Sequence, residues 1–520
     1  MNNLPVTDLL VVILYLLAMV WVGIYFSRKN KNAKAFSTAA GSIPGWAIGF
    51  SIFATFLSSN TFLGVPGKAF GSNWNSFVFS ISMPLAAWFA ARYFVPFYRK
   101  SGYISAYEHF ENRFGPWART YMVVCFLLTQ LARMGSIFFG IGLSLQALLG
   151  FSLSSIMIVM GICIIIYTVL GGMAAVIWTE VVQAIILSVG ALLILLLIIS
   201  DIPGGAGAII DIGKANDKFS LGSFALNLSA PTFWVILLYG FFINLNNFGI
   251  DQNYVQRYHT ATSQKQAAGS VWLCVALYVP ISLLFFVIGS SLFAYYEVHP
   301  EAIATVKDQV VQEMARAGTI ITTEQLSAAD YGDKVMPHFI VSRIPAGLAG
   351  LIVSAILSAA MSTISSGMNA SGTVFTADIF KRYFKRDMNE RQQLRALHIS
   401  TTLFGVLGLG TGLAMIGAKS LLDMWWELSG IFAGGMLGLF LLSMISRRTS
   451  GHAALTATLI GVLVILWMSF SGKIPDEYAF LRSPFHVNMI IVIGTLTIFL
   501  VGLLLTAFRQ SRSGQENPTA

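Results

Sequence analysis

The chain has 520 residues, 56% of them apolar and only 11% charged, with a formal net charge of +9. Such a balance excludes an ordinary water-soluble domain, and the basic excess calls for no nucleic-acid partner, because Lys and Arg collect in the cytoplasmic loops of multi-pass membrane proteins. The three cysteines (Cys125, Cys163 and Cys274) all fall in apolar runs, so neither a metal cluster nor a structural disulfide is expected.

Apolar runs long enough for a bilayer core of about 30 Å recur thirteen times. They lie near residues 6–27, 46–66, 73–98, 118–149, 152–171, 175–200, 231–255, 266–296, 345–377, 395–418, 421–445, 451–471 and 486–508. The first lacks a basic lead-in and a small-residue cleavage site, so it reads as a retained helix. Thirteen crossings put the termini on opposite sides. Basic residues gather at 28–34, 92–119, 381–395, 447–448 and 509–512, together with Arg257 and Lys265, all cytoplasmic if the N-terminus is outside and the C-terminus inside. The outer segment after Glu297 reads as an amphipathic helix from Ala304 to Met314 followed by loop, too small for a catalytic domain. The tail after Arg509 is polar and expected to be disordered.

Several spans carry polar groups that lipid cannot satisfy. In the second, Ser58-Ser59-Asn60-Thr61 interrupts the apolar run, between Gly49 and Pro66. The fourth holds Arg133 near its middle, where a guanidinium costs several kcal/mol unless it meets a carboxylate, carbonyls or a wet cavity. Its planar fork suits an anionic substrate, or else a buried acid such as Glu180, Asp251 or Glu427. Glu180 lies a turn or so inside the cytoplasmic end of the sixth span, as a cation ligand or as an acid solvated at the helix end. The seventh carries Asn244, Asn246, Asn247, Asp251 and Gln252.

The ninth span places Ser354, Ser358, Ser362, Ser365, Ser366 and Asn369 at helical spacing along one face. Packing between helices accounts for one or two such serines. The crowding of Ser362-Thr363 and Ser365-Ser366 also suits a hard cation held by hydroxyls and by carbonyls freed where a helix unwinds. Ala54 to Ser58 is the stretch that offers such carbonyls. The second and seventh spans occupy the same place in two successive groups of five, the pattern of an inverted-repeat transporter with its substrate at the midplane.

Four stretches together resemble the sodium/solute symporter family: Ser51 to Phe62, Tyr167 to Gln183, Asp251 to Tyr258, and Ser354 to Asn369. The resemblance covers nearly the whole chain. It implies an all-α polytopic fold of leucine-transporter type, with two inverted five-helix repeats, one extra helix before them and two after. The corresponding divisions are 1–45, repeat 46–200, external loop 201–230, repeat 231–447 with outer segment 297–340, 448–508, and tail 509–520. It further implies Na⁺-driven import by alternating access across a bacterial inner membrane, by a monomer that is not an enzyme.

Carried over by position, the resemblance assigns a Na⁺ site to the carbonyls of Ala54, Leu57 and Ala359 and the hydroxyls of Ser362 and Thr363. A second Na⁺ site, which some relatives have, would use Glu180, Ser365 and Ser366, with Glu180 standing where those relatives have Asp. Among bacterial members the chain is most similar to sialic acid symporters, whose carboxylate-binding arginine matches Arg133 and whose substrate hydroxyls match Ser58 and Thr61. Asn244 matches a substrate-region amide. Phe56 and Ser80 replace the Thr and Gln that such transporters can have, a change that could retune the pocket toward another acidic sugar. The expected substrate is therefore sialic acid or a related sugar acid; the alternatives are a neutral sugar, an amino acid or another organic acid. An ion channel is the rival of a different class, but it would want a continuous polar path rather than polar groups clustered at mid-span.

Overall fold

The computed structural model describes residues 5–28, 31–316, 321–345, 347–416 and 419–515; side chains at 59–60, 147–149, 313, 316, 417–431 and 511–515 lie outside the described set. The described residues form helices joined by turns and irregular connections, with one isolated bridge between Ile43 and Ala261 and no sheet among them. The principal helices are α1 (Val6–Ser27), α2 (Gly45–Phe56), α3 (Ser59–Gly71), α4 (Trp74–Ser101), α5 (Pro116–Leu149) and α6 (Leu153–Asp201). There follow α7 (Phe233–Ile250), α8 (Gln252–Thr260), α9 (Gln264–Val298), α10 (Ala328–Arg343), α11 (Leu348–Phe384), α12 (Glu390–Ala414), α13 (Lys419–Ile445), α14 (Gly451–Phe470) and α15 (Met489–Gln515).

Among the described residues, ten helices are long and apolar enough to cross a membrane, or eleven if the bent pair α2–α3 is one span. The 49-residue α6 counts once in that tally. A straight helix of that length would measure about 74 Å, more than twice the hydrocarbon core. It is broken at Gly172, with φ +54° and ψ −156°, a conformation that suits glycine. The break falls between the two runs expected at 152–171 and 175–200.

α11 is the centre of the bundle: every residue from Ile352 to Val374 is buried. A polar stripe is tolerable there because no face of the helix meets lipid. α6 lies along it, and α1 lies against α6. Glycines let these backbones approach: a Cβ on Gly23 would fall 2.5 Å from the Tyr167 Cα, and one on Gly190 2.7 Å from the Ala355 Cβ.

Two expectations need correction. The outer segment does not run on as loop after its first helix (Pro300–Arg316) but forms α10. The Asp330 carboxylate accepts from the Ser327 amide (2.8 Å) and hydroxyl (2.6 Å), starting the helix. Val335, Met336, Phe339 and Ile340 then supply an apolar face that is buried. The end of the chain also differs, since α15 continues past Arg509 to Gln515 before the described residues stop. An established helix extends readily, one hydrogen bond per added residue.

Candidate ion and substrate site

Both polar interruptions are breaks in helices. α2 ends at Phe56, Leu57 is extended (φ −90°, ψ 111°), and α3 leaves at 55° to α2. α7 ends at Ile250 and the chain is extended at Asp251 (φ −72°, ψ 119°) before α8 begins. Asp251 caps α8 through the Asn253 amide, 2.8 Å away. In the first break the Ser58 amide, which would otherwise close a helical bond to the Ala54 carbonyl, lies 3.4 Å from Thr61 Oγ1. Carbonyls are thereby released in the middle of the bundle.

Those carbonyls face α11. Ser362 Oγ lies 3.1 Å from the Ala54 oxygen and 3.2 Å from that of Ala359. Thr363 Oγ1 lies 3.4 Å from the Leu57 oxygen and 3.3 Å from that of Ala359. All five expected ligands are buried together. The separations exceed the roughly 2.7–2.8 Å of an ordinary O–H···O bond. They are loose hydrogen bonds that a hard cation among the same neutral oxygens would replace.

One turn farther along α11 the chemistry changes. Glu180 is 0% exposed and Arg257 1% exposed. Arg257 Nη2 donates at 2.7 Å to both Glu180 oxygens, and its Nε donates at 2.7 Å to Ser51 Oγ. The hydroxyls of Ser51 and Ser366 also donate to the Glu180 carboxylate, and Arg257 Nη2 reaches Ser366 Oγ at 2.6 Å. This hub ties together α2, α6, α8 and α11. Glu180 is therefore not an acid solvated at a helix end, and Arg257 is not a loop residue. The break at Asp251 turns α8 inward and carries Arg257 into the bundle. Among the described hydrogen bonds none joins Ser365 to Glu180; the Ser365 hydroxyl donates to the Ser362 carbonyl at 3.2 Å.

Arg133 is 28% exposed, on α5. Its Nη2 donates to the Thr55 carbonyl at 3.2 Å, and its Nη1 lies 3.9 Å from Asp251 Oδ2. It thus touches both helix breaks, with a long and partly wet ion pair rather than a close bidentate one. Of the acids considered for it, Glu180 is held by Arg257, and the Glu427 side chain lies outside the described residues.

Phe56 packs among aromatic side chains. Its ring centroid lies 4.6 Å from that of Tyr254, 5.3 Å from that of Phe248 and 5.5 Å from that of Tyr278. Tyr254 neighbours Arg133, and Tyr278 neighbours Ser80. Ser80 Oγ is in turn 2.7 Å from Ser282 Oγ. Asn244 donates to Ser82 Oγ at 3.2 Å, while the side-chain oxygens of Asn244 and Asn246 are buried with no hydrogen-bond partner among the described residues. Such orphans cost about 1–3 kcal/mol each until a ligand or water meets them. Ser58 and Thr61 are half-buried, with side-chain oxygens 3.5 Å apart.

Sequence reasoning missed Arg257, Ser51, Tyr254 and Tyr278 as members of the site. The available signal was the polar run from Asp251 to Tyr258, too rich in amides and aromatics for a solvated loop.

Comparison with known proteins follows the same lines. The profile of the Sodium:solute symporter family matches residues 36–461. The chain is similar to the sodium/sialic acid symporter NanT of Aliivibrio fischeri, 33% identical, with 94% of this chain and 91% of that protein covered. It is similar to the sodium/sialic acid symporter SiaT of Proteus mirabilis, 31% identical, with 93% of each covered. Among solved structures, a Na⁺-coupled sialic acid symporter in a substrate-bound outward-open state superposes with a TM-score of 0.85 at 28% identity, covering 97% of this chain and 98% of that one. Mhp1, a nucleobase-cation-symport-1 family transporter, shares the fold alone, with a TM-score of 0.55 at 14% identity over 91% of this chain and 94% of that one.

Proposed function

The chain belongs to the sodium:solute symporter family, and from that premise we propose how its own residues couple Na⁺ to sialic acid. It is a Na⁺-coupled secondary transporter embedded in the membrane by many helices, and not an enzyme. Sialic acid or a closely related sugar acid is the substrate, entering with Na⁺ down the ion's gradient.

The observation that carries the mechanism is the gathering of the Ala54, Leu57 and Ala359 carbonyls with the Ser362 and Thr363 hydroxyls across the α2–α3 break. Na⁺ at that point bridges α2 and α11 and fixes the angle at which α3 leaves. Ser58 and Thr61, on the first turn of α3 and its cap, are thereby set for substrate hydroxyls. The substrate carboxylate lies against Arg133, and the free oxygens of Asn244 and Asn246 accept from the sugar. Phe56 and Ser80 shape the far wall. Each ligand then tightens the other's binding, as linkage requires.

The Glu180 carboxylate carries its own cation in Arg257, so the second site is read as a permanent ion pair and one Na⁺ moves per cycle. Thirteen crossings, N-terminus outside and C-terminus inside, follow if α2–α3 and α13 each span once and α6 spans twice about Gly172; a monomer in the bacterial inner membrane completes the reading. In proteoliposomes, an inward Na⁺ gradient should drive accumulation of labelled sialic acid, and an equal K⁺ gradient should not. Equal uptake under both would overturn the assignment.

A further inference from the structure

A cavity of about 570 Å³ runs along the outer half of the broken helix α3 and is walled on its other side by α10. Thr61 lies at its inner end; Gly64, Lys68 and Ser72 follow along the helix, and Ala329 and Asp333 face them from α10. Thr61, Gly64, Lys68 and Ser72 are spaced by three or four residues, so they line one face. At about 1.5 Å per residue the Lys68 backbone stands roughly 10 Å farther out than that of Thr61. Gly64 keeps the middle of the groove clear: a Cβ there would meet nothing within 4 Å. Gly67, by contrast, is pressed onto Gly332, where a Cβ would come within 2.9 Å of the Gly332 backbone. One side of α3 is thus sealed against α10 and the adjacent side left open.

Lys218 and Lys68, both near this end of the molecule, differ in what they hold. Lys218 is spent on structure, donating to the Phe70 carbonyl at 2.7 Å and the Ser72 carbonyl at 3.1 Å, with its ammonium 3.8 Å from the centroid of the Phe293 ring. Lys68 is exposed; among the described residues it forms no close ion pair, and its charge acts on the Asp333 carboxylate of the facing helix without a contact that holds it. Fixed positive charge at the mouth of a cleft raises the local concentration of an anion and speeds its capture.

We propose that this groove is an outer subsite for an acidic sugar, with Lys68 taking the carboxylate while Asp333, Ser72 and Thr61 meet sugar hydroxyls. The substrate pauses there before its carboxylate passes to Arg133. The subsite rests on the sugar-acid reading above and deepens it. Its chemistry selects a small acidic polyol over a neutral sugar, which lacks the group Lys68 holds, and over a simple carboxylate, which lacks the hydroxyls.

The test compares Lys68→Met and Lys68→Arg in proteoliposomes under a Na⁺ gradient, with sialic acid and its neutral carboxamide as paired substrates. For the acid, Lys68→Met should raise KM about three- to tenfold, the scale of one lost charge contact in wet surroundings, with the maximal rate held within about twofold. Lys68→Arg should restore KM, and the carboxamide should not distinguish the variants. The KM of the wild type should rise with ionic strength and that of Lys68→Met should not. An unchanged KM in Lys68→Met, or an equal rise for acid and carboxamide, would overturn the subsite. In a Gly64→Cys variant, a membrane-impermeant thiol reagent should react from outside and be slowed by sialic acid; labelling that sialic acid leaves unslowed counts against it too. Wild-type protein that takes up no sialic acid would instead defeat the functional reading itself, which keeps the two failures apart.

Discussion

Ser362 and Ser366 lie one turn apart on α11, both are buried, and both reach oxygens of α2 or its neighbours. Their surroundings nonetheless differ in kind. Among the described residues, the Ser362 and Thr363 hydroxyls are hydrogen-bonded to neutral carbonyl oxygens. Around Ser366 stand a full carboxylate and the guanidinium that neutralises it. A cluster of neutral oxygens can accept a mobile hard cation and release it again. A buried carboxylate left without a partner would carry a penalty of several kcal/mol, so it needs a permanent one. The first cluster suits an ion that comes and goes; the second suits a joint that stays closed.

The largest effect should come from breaking the joint. Glu180→Gln leaves Arg257 buried without its acid and should cost about 3–5 kcal/mol of stability, seen as a lower melting temperature of the detergent-solubilised protein. The double variant Glu180→Gln/Arg257→Met should recover much of that loss. A single variant that melts normally but alters the Na⁺ stoichiometry would turn the comparison around and make Glu180 an ion ligand.

Next in size is Ser362→Ala, alone or with Thr363→Ala. Losing ligands from the neutral cluster should abolish Na⁺ stimulation of uptake while shifting thermal stability in the absence of Na⁺ by only about 1 kcal/mol, the worth of a hydrogen bond. Unchanged Na⁺ dependence would remove the ion from this turn of α11. Initial-rate Na⁺ titrations of the wild type should also fit a Hill coefficient near one, whereas a value approaching two would require a second mobile ion.

Arg133 tests the substrate end of the same contrast, because its 3.9 Å pairing with Asp251 is loose where that of Arg257 with Glu180 is close. Arg133→Gln should weaken uptake of an acidic sugar about tenfold or more relative to a neutral analogue, the scale of a charge-assisted hydrogen bond. Equal losses for both substrates would make Arg133 a strut between the helix breaks. The smallest effect should be that of Asn369→Ala, whose side-chain oxygen accepts from Gln256 at 2.8 Å beyond the Glu180 joint. Loss of about 1 kcal/mol of stability with normal Na⁺ dependence is expected.

The stripe on α11 shows how far the sequence could be read. Its periodicity required a polar face turned away from lipid, and the Ala54–Ser58 stretch offered a place where unwinding could free carbonyls; the structure joins the two. Arg257 shows where the reading stopped. A basic residue shortly after an apolar run is the usual mark of a cytoplasmic loop, and the sequence around Arg257 does not reveal that the chain turns inward at Asp251. The pairing of Glu180 with Arg257 joins residues 77 positions apart, and no local pattern records such a distance.

The sequence by itself determined the multi-pass helical class, the two interrupted helices and the hydroxyls available to an ion, because hydropathy and helical period are local properties of the chain. Only the tertiary structure decided which hydroxyls face a neutral pocket and which face a buried charge. That outcome depends on which of the few intramembrane acids each arginine reaches, and packing among distant helices sets it.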